Sequence, residues 1–351
     1  MGSTIGLDIG SSAVRAVQVS SGRRGHASVD RVGEVALPPT ALREGAIEQP
    51  DVVAGALKAL WSRHKFRGRR VALGVASQQV VVRQVDLPWM PERELRASLR
   101  YTAQDYIPIS VDDALLDIHP LEEAVNDEGQ RFARVLLVAA HRHLVDELLA
   151  VVKRARLEPV VIDLEPFAIL RSLAGNRTIL GYGEVLIDIG ADVTNVVVHE
   201  AGVPGFTRIL PMGGAAITDS LVGTLGMSVD EAEATKAATG LPGHNGGNGD
   251  GQVGELIADR ARRLMGEIRG SLDYYTGQAG AVPIDRAVVS GGGSRLPNLR
   301  EQLARALQLP VDRGHPLQHL SVAGLGVDVE DLVDAEPTLA VAVGLAMRPL
   351  Q

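Results

Sequence analysis

The chain has no cysteine among its 351 residues, which excludes disulfides, thiolate metal sites and a thiol nucleophile. Aromatic residues make up only 3% of it, so a core must be built mainly from Val, Leu, Ile and Ala. No apolar run approaches the roughly 18 residues that a membrane-spanning helix needs, and no basic-then-apolar leader precedes Gly6. A cytoplasmic location is the expectation. An excess of positive charge is also missing. The formal net charge is −8, which argues against nucleic acid as a partner. Short basic clusters such as Arg67-Gly68-Arg69-Arg70 read as solvated faces. The nine histidines are scattered, with no spacing that suggests a metal site or an acid–base pair. What remains is an ordinary globular composition, 45% hydrophobic and 22% charged, with a length that suggests about two domains.

The stretch that organises the chain is residues 5–19, IGLDIGSSAVRAVQV. An apolar run reaches Asp8, turns through Gly10-Ser11-Ser12 and resumes as an extended apolar series, the pattern of a hairpin. The dinucleotide fingerprint and the Walker loop both need a helix straight after the glycines, so neither fits. Backbone amides in a tight turn of small residues suit a phosphate. A carboxylate about 4 Å from phosphate oxygen is repelled by roughly 4 kcal/mol at an effective dielectric of 20, so Asp8 conflicts with that use. A hydrated Mg²⁺ between them removes the conflict, being held typically by one or two carboxylates plus substrate phosphates. A purely structural turn, with Asp and Ser satisfying local backbone groups, also accounts for one such hairpin.

Residues 185–199, VLIDIGADVTNVVVH, repeat the pattern. Without a gap, Asp8 aligns with Asp188, Ile9 with Ile189, Gly10 with Gly190 and Val17 with Val197. Two similar domains, each presenting an Asp-Ile-Gly hairpin to a shared cleft, are the simplest source of such a repeat. In that arrangement Asp8 and Asp188 hold the Mg²⁺, and the amides around Gly10, Ser11 and Ser12 and around Gly190 and Asp192 hold phosphates. Ser11, Ser12, Arg15, Thr194 and Asn195 are placed to add donors, although Arg15 on a strand also reads as a solvent-facing residue.

Further along, residues 51–64, 92–104, 143–156, 215–225 and 255–275 carry helical periodicity, and Ser228-Val229-Asp230-Glu231 is a capping box for a helix that stops at Gly240. Residues 241–254 are glycine- and asparagine-rich and read as a surface loop. Gly213-Gly214 opens a helix, whose N-terminal amides suit phosphate. Gly291-Gly292-Gly293, before Ser294 and Arg295, turns a strand into a helix and lets backbone approach a flat base; a plain turn is the alternative. Glu233 and Lys236, three apart on a helix, read either as a surface ion pair or as groups near the nucleoside.

The two Asp-Ile-Gly hairpins resemble the phosphate motifs of the actin–Hsp70–sugar kinase superfamily, and the triple glycine its adenosine motif. Within it, Leu87-Pro88, Met90-Pro91, Tyr106-Ile107-Pro108, Leu136-Leu137-Val138-Ala139-Ala140, Asp163-Leu164-Glu165-Pro166-Phe167-Ala168 and Phe206-Thr207-Arg208 resemble the PilM family of type IV pilus assembly, with FtsA of cell division next. The resemblance covers nearly the whole chain. It implies an α/β, actin/Hsp70-like two-domain fold with a nucleotide cleft and a relocated small subdomain. It implies a first domain over residues 1–81, the inserted subdomain over 82–160 and a return to the first domain with a crossover helix over 161–180. A second domain then spans 181–336, and a helix over 337–351 returns to the first domain.

By the same resemblance the ligand is ATP or ADP with Mg²⁺, weakly hydrolysed or not at all. The partner is the N-terminal cytoplasmic peptide of a PilN-like single-span membrane protein, which holds the protein at the inner face of the plasma membrane. Pilus motor or other pilus proteins and self-association are further partners that it allows. The chain ends directly after an apolar helix, without the amphipathic membrane helix of FtsA-like chains, which favours the pilus family. In one departure, Gln104-Asp105 stands where the family often reads Glu-Gln, and this bears on hydrolysis. A peptide groove is expected between the small subdomain and the first domain, lined from residues 82–87 and 92–104. Trp89 and Met90 belong either to that groove or to an inward-packed helix-entry staple. The alternatives in function are an FtsA-like filament former or a small-molecule kinase, though no catalytic Asp of a kinase stands out near the second hairpin.

Overall fold

The computed structural model describes residues 2–21, 27–126, 128–174, 180–243, 251–278, 280–322 and 329–348. In chain order the first half contains β1 (Ser3–Ile9), β2 (Ala13–Ser21), β3 (Ala27–Ala36), β4 (Leu42–Arg43), β5 (Ala46–Ile47), α1 (Pro50–His64), β6 (Arg70–Val75), β7 (Val80–Pro88), α2 (Glu92–Thr102), β8 (Ala114–Val125), β9 (Arg131–His141), α3 (Arg142–Arg154), β10 (Glu158–Leu164) and α4 (Glu165–Leu173). The second half contains β11 (Gly183–Ile189), β12 (Thr194–Glu200), β13 (Val203–Leu210), α5 (Ala215–Leu225), α6 (Val229–Thr239), α7 (Gln252–Thr276), β14 (Ile284–Ser290), α8 (Leu299–Leu307), β15 (Val311–Arg313), α9 (Val329–Ala335) and α10 (Ala340–Ala346).

Each half builds a five-stranded sheet by the same rule. A meander of three antiparallel strands is extended on the side of its first strand by two parallel ones, giving the orders β3-β2-β1-β6-β10 and β13-β12-β11-β14-β15. The central strands β1 and β11 are covered on both faces, which is why they read as nearly continuous apolar runs rather than alternating ones. The repeat seen in the sequence is therefore a repeat of whole sheets.

The halves are joined by an exchange of helices. From the end of the first sheet α4 packs on the second sheet, with Ile169 and Leu173 in one cluster with Leu186, Val197 and Val288, while α10 packs on β1, β2 and β6. Two glycines allow this approach. A Cβ on Gly344 would lie 1.8 Å from the Ala168 carbonyl oxygen, and one on Gly6 would lie 2.0 Å from that of Ala342. No other residue fits at either crossing.

Between β6 and β10 the chain forms the separate sheet β7-β9-β8, with α2 on one face. Val85, Leu87, Leu95 and Leu99 are all buried in this unit's own core. The residues expected to line a groove are thus partly used up. The face available to the rest of the molecule is the other one, which carries Gln84, Leu136 and His119 in one register with Val82 and Val138 beside them. Its Leu136 is buried, and His119 meets the ring of Phe167 at 5.4 Å between centroids. Met90 packs into the core, whereas Trp89 stays 38% exposed beneath the Arg131 guanidinium, so only one of the pair turns inward.

The helix expected over 92–104 is α-helical to Thr102 and closes as a 3₁₀ turn over Ala103–Asp105. The last helix begins at Ala340, because Pro337 sits in a preceding 3₁₀ turn, Glu336–Thr338. The Ser228 capping box forms as expected. Much of the glycine-rich stretch, residues 244–250, lies outside the described residues. Among the described residues no helix is long and apolar enough to cross a membrane.

Candidate functional site

The two hairpin turns are built alike. The Gly10 amide donates to the Ala13 carbonyl at 3.1 Å and the Gly190 amide to that of Val193 at 2.9 Å. Behind them Asp8 pairs with Arg15 and Asp188 with Asn195 in the same register. The amides of Ser11, Ser12, Ala191 and Asp192 have no backbone acceptor among the described residues. The turn glycines themselves are closed off, and the residues after them present the donors.

Both aspartates are buried, at 6% and 7% exposure, and they feel one another. Burial pushes Asp8 up to about 6, against the pull of Arg15, whose Nη1 lies 3.8 Å from Oδ2; Asp188 and Glu34 push it further up. Burial likewise raises Asp188 to about 6, opposed by the Ser290 hydroxyl, which donates to it at 2.6 Å, and by Arg15. Arg15 therefore faces the cleft side rather than solvent. Its side chain is 12% exposed, and its Nε donates to Glu34.

A third carboxylate completes the group. Glu165, the first residue of α4, is held far above the usual carboxylate range by burial and then by Asp8 and Asp188, with the Asn195 amide donating to it at 3.3 Å. Glu165 lines a small cavity together with Ile9, Leu42, Ile47, Val75, Leu144 and Leu148. The Asn195 Oδ1 is buried with no hydrogen-bond partner. Sequence reasoning missed Glu165 as a site residue. The available signal was Glu-Pro at a helix start directly after an apolar strand. It also missed Ser290, the residue before the triple glycine.

Among the described residues no three His, Asp or Glu side chains come close enough to hold a metal by themselves. Two buried carboxylates that repel one another, beside turns with unpaired amides, nevertheless fit a hydrated Mg²⁺. That ion needs only one or two protein carboxylates, water and phosphate oxygens.

Around the second hairpin the glycines serve close packing. A Cβ on Gly213 would meet the carbonyl oxygens of Gly190 and Ala191, both at 2.4 Å. The Gly214 amide donates to the Gly190 carbonyl and that of Ala215 to Ala191, each at 2.9 Å. The Gly214 amide is therefore not aimed at phosphate; its bond positions the hairpin. The Thr194 hydroxyl donates to the Met212 carbonyl at 2.8 Å and has the same bracing role.

Gly291, at φ +83°, and Gly293 let the next turn lie on Ile189, where a Cβ would fall 2.3 Å from the Ile189 carbonyl oxygen and 2.4 Å from its Cγ2 respectively. Gly293 then borders Gly214, with Gly292 between Gly291 and the turn's end. Lys236 closes this corner. Its ammonium donates to Glu233 at 2.7 Å, to the Thr218 hydroxyl at 2.8 Å and to the Gly214 carbonyl at 3.3 Å. Glu233 and Lys236 are thus more than a surface pair. Arg295 is not brought in, since its guanidinium donates to the Asp334 carbonyl. Asp192 accepts from the Glu44 amide across the cleft at 3.4 Å, so its carboxylate is turned from its own turn amides.

Comparison with known proteins fits this geometry. The model of a family described as type IV pilus assembly protein PilM matches residues 6–350. A solved PilM-PilN type IV pilus biogenesis complex contains a chain 27% identical to this one, with TM-score 0.86, covering 99% of this chain and 98% of that one. MreB5 of Spiroplasma citri bound to ADP has TM-score 0.54 at 15% identity, over 97% of this chain and 94% of that one, a likeness of fold. The cell division protein FtsA of Neisseria meningitidis serogroup B is 25% identical over 69% of this chain, which spans 61% of that relative's length.

Proposed function

This chain belongs to the PilM family of type IV pilus assembly proteins, with an actin-like fold, and on that premise we propose that it is an ATP·Mg²⁺-binding scaffold that docks a PilN-like membrane protein. The observation that carries the nucleotide reading is the pair of buried aspartates, Asp8 and Asp188, each behind a turn with amides to offer. They hold the hydrated metal, which when bound supplies charge neutralisation for the phosphates. The amides of Ser11, Ser12, Ala191 and Asp192 cradle the phosphates, and Arg15 tempers the charge of Asp8. The corner of Gly214, Gly293, Glu233 and Lys236 takes the nucleoside. Glu165, oriented by Asn195, is the group placed to accept a proton from water. Burial, with Asp8 and Asp188 beside it, raises its affinity for protons, the direction that suits such a role.

The relative in the PilM-PilN complex assembles with PilN. Here the N-terminal cytoplasmic peptide of such a protein docks at the seam where His119 meets Phe167, on the sheet face that also carries Val82 and Gln84, and it tethers a chain without a described membrane span to the inner face of the plasma membrane. A short peptide of modest buried area binds on the micromolar scale, about −8 kcal/mol. In calorimetry a synthetic PilN tail is expected to bind saturably, to be lost on Val82→Arg and to leave ATP binding unchanged. No saturable heat with or without ATP removes the docking reading and leaves the nucleotide reading standing. An FtsA-like, filament-forming role is the second reading, favoured by the match to FtsA, and pelleting of the protein with ATP·Mg²⁺ at high concentration would support it.

A further inference from the structure

The chain is acidic overall, yet one face of it is the reverse. From residue 52 to residue 85 there is no Asp or Glu, and from 148 to 157 there is none either. The fold brings these two stretches together at the base of the first sheet, the end away from the Gly10-Ser11-Ser12 turn. Arg70 opens β6 and pairs with Glu158 at the start of the neighbouring β10, and the Glu158 amide donates to the Arg69 carbonyl at 2.7 Å. The chain leaving α3 through Lys153, Arg154 and Arg156 feeds into that same strand end. On the other side the loop that follows α1 is fastened down. The Gln18 amide donates to the Arg67 carbonyl at 3.3 Å, and the Trp61 indole donates to that of Gly68 at 2.9 Å.

Arg63, Lys65, Arg67, Arg69, Arg70, Lys153 and Arg156 are all exposed, and among the described residues none has an ion-pair partner; only Arg154 is paired, to Asp51. Seven cations without ion-pair partners gather there around one exposed acid, Glu158, in a protein of net charge −8, and such crowding of like charge costs self-repulsion. A solvated face has no need of such segregation.

We propose that this basal face is a peripheral docking surface for a membrane rich in anionic phospholipid. The backbone under the cations is anchored by the Gln18, Trp61 and Glu158 bonds, so the charges stay together on one surface. Aromatic platforms are missing from it: Phe66 is buried and Trp61 is half-buried with its N–H taken, so bases have nothing to stack on and single-stranded nucleic acid is the poorer match. The choice of a membrane over other polyanions rests on the reading that the protein works at one. The face lies at the opposite end of the sheet from the cleft, so attachment leaves the nucleotide site open. The contact is electrostatic and reversible by salt, each Lys or Arg near an anionic surface contributing about fivefold in partitioning.

The test is co-sedimentation of the full chain with protein-free vesicles, either phosphatidylcholine alone or phosphatidylcholine mixed with phosphatidylglycerol. Binding is expected only to the mixed vesicles and should disappear in high salt. The triple substitution Arg67→Gln, Arg69→Gln, Arg70→Gln should weaken it on the order of a hundredfold, and Lys153→Gln with Arg156→Gln about 25-fold. Arg262→Gln with Arg263→Gln on α7, where both arginines are paired to Asp259, should change it little. Equal binding to both vesicle types, retention in high salt, or a triple variant that binds like the wild type overturns the proposal. So does duplex DNA captured more tightly than the mixed vesicles. Because the vesicles carry no PilN, a negative result here leaves the peptide-docking reading untouched, and calorimetry with the peptide decides that one separately.

Discussion

The two Asp-Ile-Gly hairpins share a backbone and differ in what surrounds it. Each closes its turn with the same amide-to-carbonyl bond and sets its aspartate at the same register. The first aspartate faces a guanidinium, Arg15, and the second a hydroxyl, Ser290, with the neutral Asn195 in the position equivalent to Arg15. The first turn is tied by one bond, the Leu37 amide donating to the Ser12 carbonyl at 2.8 Å, whereas the second takes two such bonds and is packed against Gly213 and Gly214. The two halves thus share one turn geometry, and the side chains around it differ, one half charge-balanced and the other braced.

That asymmetry makes the glycines the place of largest expected effect. Gly213→Ala forces a methyl against two carbonyl oxygens at 2.4 Å and should cost about 3 kcal/mol in denaturant unfolding. Gly190→Ala, at 2.8 Å from the Val193 carbonyl oxygen, should cost about 1–2 kcal/mol. Gly10→Ala has 3.4 Å to its nearest neighbour and should change stability by less than about 1 kcal/mol. Equal losses at Gly10 and Gly190 would erase the distinction between a loosely packed turn and a clamped one.

The aspartates sharpen it through pH. A carboxylate raised from 3.8 to about 6 in the folded state stabilises the fold at low pH, and that contribution disappears as pH rises through about 6. For Asp188 the full swing amounts to about 3 kcal/mol. In metal-free buffer the melting temperature should therefore fall mainly between about pH 4 and pH 6, and Asp188→Asn should flatten that slope. A wild-type slope of the opposite sign would mean that the cleft carboxylates are solvated. Arg15→Gln gives the smallest effect. Removing the cation that pulls Asp8 down should raise the Asp8 titration midpoint further, read by NMR, and leave Asp188 less affected because Ser290 holds it.

Much of this was legible in the sequence because repeats and turns are local. The hairpins, their gapless alignment, the capping box at Ser228 and the glycines at 213, 214 and 291–293 are contiguous motifs, and the fold sets these glycines beside the second hairpin while Arg295 turns away. What escaped depends on contacts distant in sequence. Nothing near Glu165 reveals that Asp8 and Asp188 crowd it, and nothing near Gly344 reveals the Ala168 carbonyl lying across it. Residues 82–87 alternate, so one face had to be core, but which face α2 would cover could not be read from the strand alone.

The account stands on Asp8 and Asp188 acting together as the metal-holding pair of a nucleotide site, and thermal melting measures this directly. At 100 times its dissociation constant ATP·Mg²⁺ should stabilise the wild type by about 2.7 kcal/mol, while ATP with chelator should do far less. Asp8→Asn and Asp188→Asn should each abolish that gain. Both should also raise the stability of the ligand-free protein at neutral pH, because each removes a charge that is buried at a cost. A wild type unmoved by ATP·Mg²⁺, or either variant stabilised as fully as the wild type, would contradict the account.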